Sequence, residues 1–355
     1  MTIEPRPELG SLPPYVAGQA VARLQAELGV DRVVNLATNE TQFGPFPAAA
    51  AIIRRHAGEA HRYPELDGDL IRRIAAAHGV ASSHVALGNG ADAIIGYLCT
   101  AYLEPGTNAV MGAPSFPTYQ LDTIKAGATP VVAPLRDGAY DVDALAAAVS
   151  DATRIVFVCN PNNPTGGIVS ADELRRLIDT VSDRLLIVVD EAYAEYVSDP
   201  AFPDTISEHV MSRRNVVVLR TFSKIFGLAG LRIGYLIGQP DVVDAVGRVR
   251  HYYDVNSLAQ LAAIASLEDR GEIERRRAAT ATARTALLGE LERRGLRTFP
   301  AHGNFVAFER PDAASLEAGL LRAGVLVRTA GDVVRVTVGS ADDHARLFAA
   351  LDTLL

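Results

Sequence analysis

Only two cysteines, Cys99 and Cys159, occur in the chain, and both sit among apolar residues. Two such thiols make no disulfide framework, so a reducing compartment, the cytoplasm, is the expected location. No stretch approaches the roughly 18 consecutive apolar residues that a membrane-spanning helix requires, and no membrane partner is expected. The opening Met-Thr-Ile-Glu-Pro-Arg-Pro has neither the basic start nor the apolar run of a secretory signal. Positive charge is not in excess: 34 Lys and Arg face 42 Asp and Glu, a net charge of −8. Non-specific attraction to nucleic acid or anionic lipid is therefore unfavourable, and any anionic ligand has to be held by local geometry. Internal repeats, low-complexity tracts and a Gly/Ser linker are also missing.

What is present is a chain of 355 residues, 48% hydrophobic and 21% charged, enough for one large or two medium domains with a proper core. Short β-branched runs bounded by Gly, Pro and Asn alternate with longer segments of helical period, which predicts a largely parallel sheet covered by helices. Strands are expected over 32–37, 84–87, 107–112, 129–134, 154–159, 185–190, 215–220 and 233–237. Helices are expected over 91–102, after a glycine pair, and over 171–181, where Ser170 can cap the start and Glu173 stands three residues on. Beyond Asp254 the pattern changes to a long helix at about 258–294, a strand over 303–309, a helix over 314–323, strands near Leu326 and over 334–338, and a last helix from Ala341. The expected division is an N-terminal arm (1–34), a large α/β domain (35–254) and a smaller α+β domain (255–355). In open parallel sheets ligands bind beyond the carboxyl ends of the strands. The chemically suggestive strings, Asn89 to Asp92, Pro114 to Phe116, Asn160 to Gly166, Asp190 to Tyr193 and Thr221 to Lys224, each follow such a strand.

Lys224 closes the run Val216 to Arg220 among hydroxyls, with Arg232 eight residues further on. Desolvation there lowers the amine pKa and suits it to attack an aldehyde, whereas an isolated lysine at a strand end simply reaches solvent. Asp190 ends an apolar strand, and a buried anion wants a cation such as a protonated pyridine nitrogen. The same Asp-Glu pair could hold magnesium in an NTPase, but the required Gly-Lys of a phosphate loop occurs nowhere in the chain. Gly88-Asn89-Gly90-Ala91-Asp92-Ala93 fits a dinucleotide turn with Ala in third place, yet the following strand ends without the carboxylate that would hold a ribose. Free N–H groups at a helix start still hold a phosphate of any origin, and a tight strand-to-helix turn is the plainer reading. Asn160-Pro161-Asn162-Asn163-Pro164-Thr165-Gly166 offers rigid positions and amides directly after a strand. Arg335 interrupts a β-branched strand, where a guanidinium can clamp a carboxylate. Arg328 can do the same or lie on a solvent face.

Together these strings resemble the pyridoxal-phosphate enzymes of the aspartate aminotransferase fold, and among them the histidinol-phosphate aminotransferase group. The likeness runs from Leu12-Pro13-Pro14-Tyr15 and Asn39-Glu40-Thr41 through Arg62-Tyr63-Pro64 to Arg335-Val336-Thr337-Val338-Gly339. It implies an α/β fold with a mostly parallel seven-stranded sheet, a homodimer with shared sites, and pyridoxal 5'-phosphate as cofactor, with no metal. Lys224 would carry the cofactor and move the substrate proton, and Asp190 would pair with its ring nitrogen. Asn163 and Tyr193 would bond the ring hydroxyl, and Phe116 would stack on the ring. The phosphate would fall to Gly90, Ala91, Asp92, Thr221, Ser223 and Arg232, with Tyr63 from a neighbouring subunit. Arg335 would bind the substrate carboxylate, with Tyr15 and Arg328 at the far end of the substrate. The implied reaction moves an amino group between histidinol phosphate or an aromatic amino acid and a 2-oxo acid such as 2-oxoglutarate, with ping-pong kinetics. An aromatic amino acid aminotransferase, a decarboxylase or lyase resembling threonine-phosphate decarboxylase, and a cofactor-binding domain without activity are the alternatives. One segment departs from the group: Tyr252-Tyr253-Asp254-Val255-Asn256 stands where Pro-aromatic-Asn-Val-Asn/Ser is common. It is expected to border the substrate, where the Asp254 carboxylate would repel a phosphorylated ligand unless Arg328 or Arg250 compensates.

Overall fold

In the computed structural model, which describes residues 3–13, 21–64, 68–213 and 215–355, the strands that read as uninterrupted apolar runs form the middle of one large sheet. Its order is Val85–Gly88, Gly234–Ile237, Val216–Thr221, Leu186–Asp190, Thr153–Cys159, Asn108–Ala113, Thr129–Arg136 and Ala139–Tyr140. Every residue of Leu186–Asp190 is buried, as a strand covered by helices on both faces requires. The pairings from Val216–Thr221 across to Thr129–Arg136 are parallel, whereas Gly234–Ile237 runs antiparallel to both of its neighbours. Seven strands carry the sheet. The eighth, Ala139–Tyr140, is a two-residue turn-back on the edge. Register brings Cys159 beside Asp190 and Asp190 beside Leu219, so three carboxyl ends open on the same place.

A smaller antiparallel sheet, Arg297–Thr298, Phe305–Glu309, Val333–Thr337 and Arg328–Ala330, packs on its own apolar core. Two expectations change here. The strand expected over 32–37 is short, Val34–Asn35, and pairs with Val325–Leu326 outside the large sheet, because Val34 and Leu36 are buried in the small core. The single helix expected from about 258 to 294 is two, Ser257–Leu267 and Arg270–Arg293. The break falls where Asp269 accepts a hydrogen bond from the Glu272 N–H at 3.0 Å and caps the second helix. Val255, Ala259, Ala262 and Ala263 pack in the core of the large sheet, while Leu287 and Leu291 pack in that of the small one. Among the described residues no helix is long and apolar enough to cross a membrane.

Helix Ala171–Thr180 opens on a reciprocal cap: Ser170 Oγ accepts from Glu173 N–H at 3.3 Å, and Glu173 accepts from Ser170 N–H at 2.9 Å. Ser170→Ala removes one half of that exchange and should destabilise the fold by about 1 kcal/mol, read as a lower urea midpoint than that of Ser170→Asp, which keeps an acceptor.

Candidate active site

Beyond the carboxyl ends of the large sheet, and against the small one, lies a cavity of about 640 Å³. Its walls include Ala91, Asp92, Phe116, Asn163, Asp190, Tyr193, Thr221, Ser223, Lys224, Arg232, Arg328 and Arg335, so the structure gathers nearly all of the expected site residues. Gly90 stands just behind: a Cβ there would meet Arg232 Nη2 at 2.5 Å, and the residue has φ +81, so only glycine suits the turn. Tyr63 is elsewhere, 77% exposed and stacked on Tyr253 with ring centroids 4.4 Å apart. Tyr15 falls outside the described residues.

Strand Leu186–Asp190 delivers its terminal carboxylate into a place with little water, 4% exposed. Tyr119 Oη donates to Asp190 Oδ2 at 2.6 Å, and the Ala192 N–H donates to Oδ1 at 3.1 Å. Burial nonetheless wins over these bonds and pushes the Asp190 carboxyl up to about 6. Lys224, three residues past strand Val216–Thr221, points its Nζ at the Asn39 carbonyl, 3.4 Å away, and lies 5.4 Å from the Tyr193 ring centroid. Burial first, and then the positive charge of Arg335, bring the amine down to about 8.

Arg335 is 8% exposed and comes from an inner strand of the small sheet. Its guanidinium donates to Asn163 Oδ1 and to the Ala37 carbonyl, while its buried Nε has no partner. Burial holds its pKa below the usual arginine range. No carboxylate neutralises it among these contacts, so it remains a cation ready for an anion. Arg328 lies directly across the strand pair from Arg335 and faces the same cavity.

A second region suited to an anion lies at helix Ala91–Tyr102, whose first turn has no side-chain cap, leaving backbone N–H groups free beside Ser223 and Arg232. Arg232 holds a left-handed backbone, φ 55, and its Nη2 lies 3.2 Å from Asp92 Oδ2.

Tyr119 and Asn39 are not among the expected site residues. Tyr119 touches Asp190 from helix Thr118–Lys125. Asn39, with φ 53, donates from Nδ2 to Tyr193 Oη at 2.9 Å and accepts from Thr337 Oγ1 at 3.1 Å. The one signal in the sequence is Asn39's place in the Asn-Glu-Thr string. Asp254, expected to border the substrate, is not in the cavity wall. Its carboxylate accepts from the Asn89 N–H at 3.0 Å and lies 3.6 Å from Arg250 Nε, so it is held behind the turn and puts no charge in the substrate's way.

The sequence profile of aminotransferase class I and II matches residues 31–352. The chain belongs to that family. An aromatic amino acid aminotransferase of Thermobifida fusca (strain YX) is 44% identical over 343 residues, covering 96% of this aminotransferase and 94% of the relative. A histidinol-phosphate aminotransferase of Moorella thermoacetica is 37% identical over 355 residues, covering 97% and 91%. Among solved structures, the histidinol-phosphate aminotransferase of Sinorhizobium meliloti in complex with pyridoxal 5'-phosphate superposes with a TM-score of 0.91 at 27% identity, covering 100% of this chain and 99% of that one.

Burial of a charged amine has a consequence for stability. Lys224 titrates near 8 when folded against an ordinary value of 10.5, so between these values the folded chain binds fewer protons and its stability rises with pH. Below about 8 the cost of the buried charge is carried in full. Lys224→Met should therefore raise the melting temperature of the ligand-free enzyme at pH 7, with the gain shrinking as pH rises from about 8 towards 10.5. A gain independent of pH would contradict this electrostatic origin.

Proposed function

We propose that this aminotransferase uses pyridoxal 5'-phosphate to move an amino group between a ring-bearing amine, histidinol phosphate or an aromatic amino acid, and a 2-oxo acid. The observation that carries the reading is a set of unmet electrostatic needs in one cavity: a buried carboxylate at Asp190, a buried guanidinium at Arg335 and uncapped helix N–H groups beside Arg232. A ring nitrogen that takes a proton, a substrate anion and a phosphate answer these needs, so the residues present fit the cofactor. When bound, the cofactor supplies an aldehyde for amines and a ring that accepts electrons as the Cα–H bond breaks.

The chain's own residues do the rest. Lys224, with its amine near 8, is neutral often enough at physiological pH to act as nucleophile and then as base, taking the proton from the substrate Cα and returning it. Asp190 stays anionic at neutral pH with the help of Tyr119 and holds a proton on the ring nitrogen. Tyr193 and Asn163 face the cavity as hydrogen-bonding partners for the ring, Tyr193 being oriented by Asn39. Phe116 forms an aromatic wall, placed edge-on to Tyr119. Ala91, Ser223, Thr221 and Arg232 take the phosphate. Arg335 binds the substrate anion, with Arg328 as a second cation across the strand pair. The 44% likeness to an aromatic enzyme and the 37% likeness to a histidinol-phosphate enzyme support one ring-binding pocket for both donors. The exposed Tyr63 suits a homodimer in which it reaches a second copy's phosphate site.

The chain has two lysines, and Lys125 is a surface residue paired with Asp122 at 2.6 Å, which makes the first test clean. Pyridoxal 5'-phosphate added to the protein should give a visible absorption band, and borohydride should fix the cofactor's mass on Lys224 alone. Lys224→Ala should lose the band and reduce turnover on the order of a thousandfold. Histidinol phosphate, phenylalanine and tyrosine should each bleach the band and pass their amino group to 2-oxoglutarate. Carbon dioxide release in place of a keto product would overturn the transamination reading.

A further inference from the structure

The two halves of the anion cradle come from distant parts of the chain, and one of them, at Arg232, holds a disfavoured backbone conformation. Arg232 has φ 55, a left-handed backbone unfavourable for a residue with a side chain, while Gly90 has φ 81, which glycine adopts freely. The segment 254–256 touches both halves. Asp254 Oδ2 accepts from the Asn89 N–H at 3.0 Å, one residue before Gly90. Asn256 Nδ2 donates to the Leu231 carbonyl at 3.0 Å, one residue before Arg232. Val255 between them is 1% exposed in the large core, which anchors the segment. Neither Asp254 nor Asn256 lines the cavity.

We propose that Asp254 and Asn256 are positioning residues that clamp the Asn89-Gly90 turn and the Leu231-Arg232 turn against each other and so set the affinity of the site for a phosphate group. The proposal rests on the functional reading above and adds to it the residues that act from behind the cradle. Asp254 does this without opposing the ligand's charge, because its side chain is 5% exposed and Arg250 lies 3.6 Å away. The bond to Asn89 fixes the turn just ahead of the free N–H groups of helix Ala91–Tyr102, and the bond to Leu231 fixes the backbone from which Arg232 reaches Asp92. The clamp thereby sets how far apart the two groups of donors stand.

The test compares two ligands that share a ring and an aldehyde and differ in the phosphate: pyridoxal 5'-phosphate and pyridoxal. Each is titrated by visible absorbance into the full-length wild type, Asp254→Ala, Asp254→Asn and Asn256→Ser. Serine keeps the acceptor with which Asn256 caps its helix, where Ala259 N–H donates at 2.8 Å, and removes the amide donor to Leu231. Asp254→Ala and Asn256→Ser should weaken pyridoxal 5'-phosphate about tenfold. Pyridoxal affinity should stay within about twofold, which also shows that the variants are folded. Asp254→Asn, whose amide oxygen still accepts from Asn89, should retain most of the preference. Equal weakening of both ligands, or no change in either, overturns the clamp and leaves these residues a structural part only. A wild type that binds neither ligand overturns the cofactor reading itself, a result distinct from failure of the clamp.

Discussion

Charge that the fold buries and does not neutralise is the constraint from which the rest of this enzyme follows. Arg335 is held close enough to Lys224 to make the amine's positive charge more costly, and Asp190 is kept in a place that resists its negative one. An interior so arranged is unfavourable by itself, and the surrounding structure has to make it tolerable. It does so with strands buried almost end to end, such as Leu186–Asp190, and with dipoles in place of counter-charges. Tyr119 and the Ala192 N–H serve Asp190, while Asn163 Oδ1 and the Ala37 carbonyl serve Arg335. Hydrogen bonds of this kind orient a charge without removing its need for a partner, so the ligand is left to complete the pairing.

Much of this is legible in the linear sequence because it depends on local rules. Strand ends locate the site: Asp190 and Lys224 stand at or just past the tips of apolar runs, and the sheet topology brings those tips together. The cap at Ser170 and Glu173 is a three-residue spacing with one physical meaning, and the structure contains it. The glycine at residue 90 is fixed by a turn and by Arg232 pressing on it, a constraint that a glycine-rich string announces.

Other parts depend on contacts between residues far apart in the chain, and periodicity carries no information about them. Tyr119 meets Asp190 across 71 positions, and Asn39 meets Tyr193 across 154. Asp254 misleads for the same reason: a carboxylate near a phosphate site looks repulsive until the Asn89 N–H and Arg250 are seen to take it. The break between helices at Glu268 and Asp269 was hidden by helix-forming residues on both sides, where a single capping side chain decided the outcome. The short strand Val34–Asn35 has the composition of a large-sheet strand. Only the packing of Val34 and Leu36 assigns it to the small core.

A protein of net charge −8 repels anions at a distance, yet each of the proposed ligands carries an anionic group. The conflict is resolved by range. At physiological ionic strength an exposed charge is screened within about 8 Å, so the overall deficit fades before a ligand arrives at the cavity. Inside, the dielectric is lower and screening weaker, and a few cations outweigh the remote surplus of carboxylates. Their distribution matters as much as their number. Arg232 stands on the large sheet's side, while Arg335 and Arg328 come from the small sheet. Arg335 is in turn held by Asn163 from the loop that follows a large-sheet strand, so this buried cation is fixed across the joint between the two cores. The position of the buried Arg335 cation is thus tied to how the two units meet, while Arg232 and the uncapped helix start belong to the large unit.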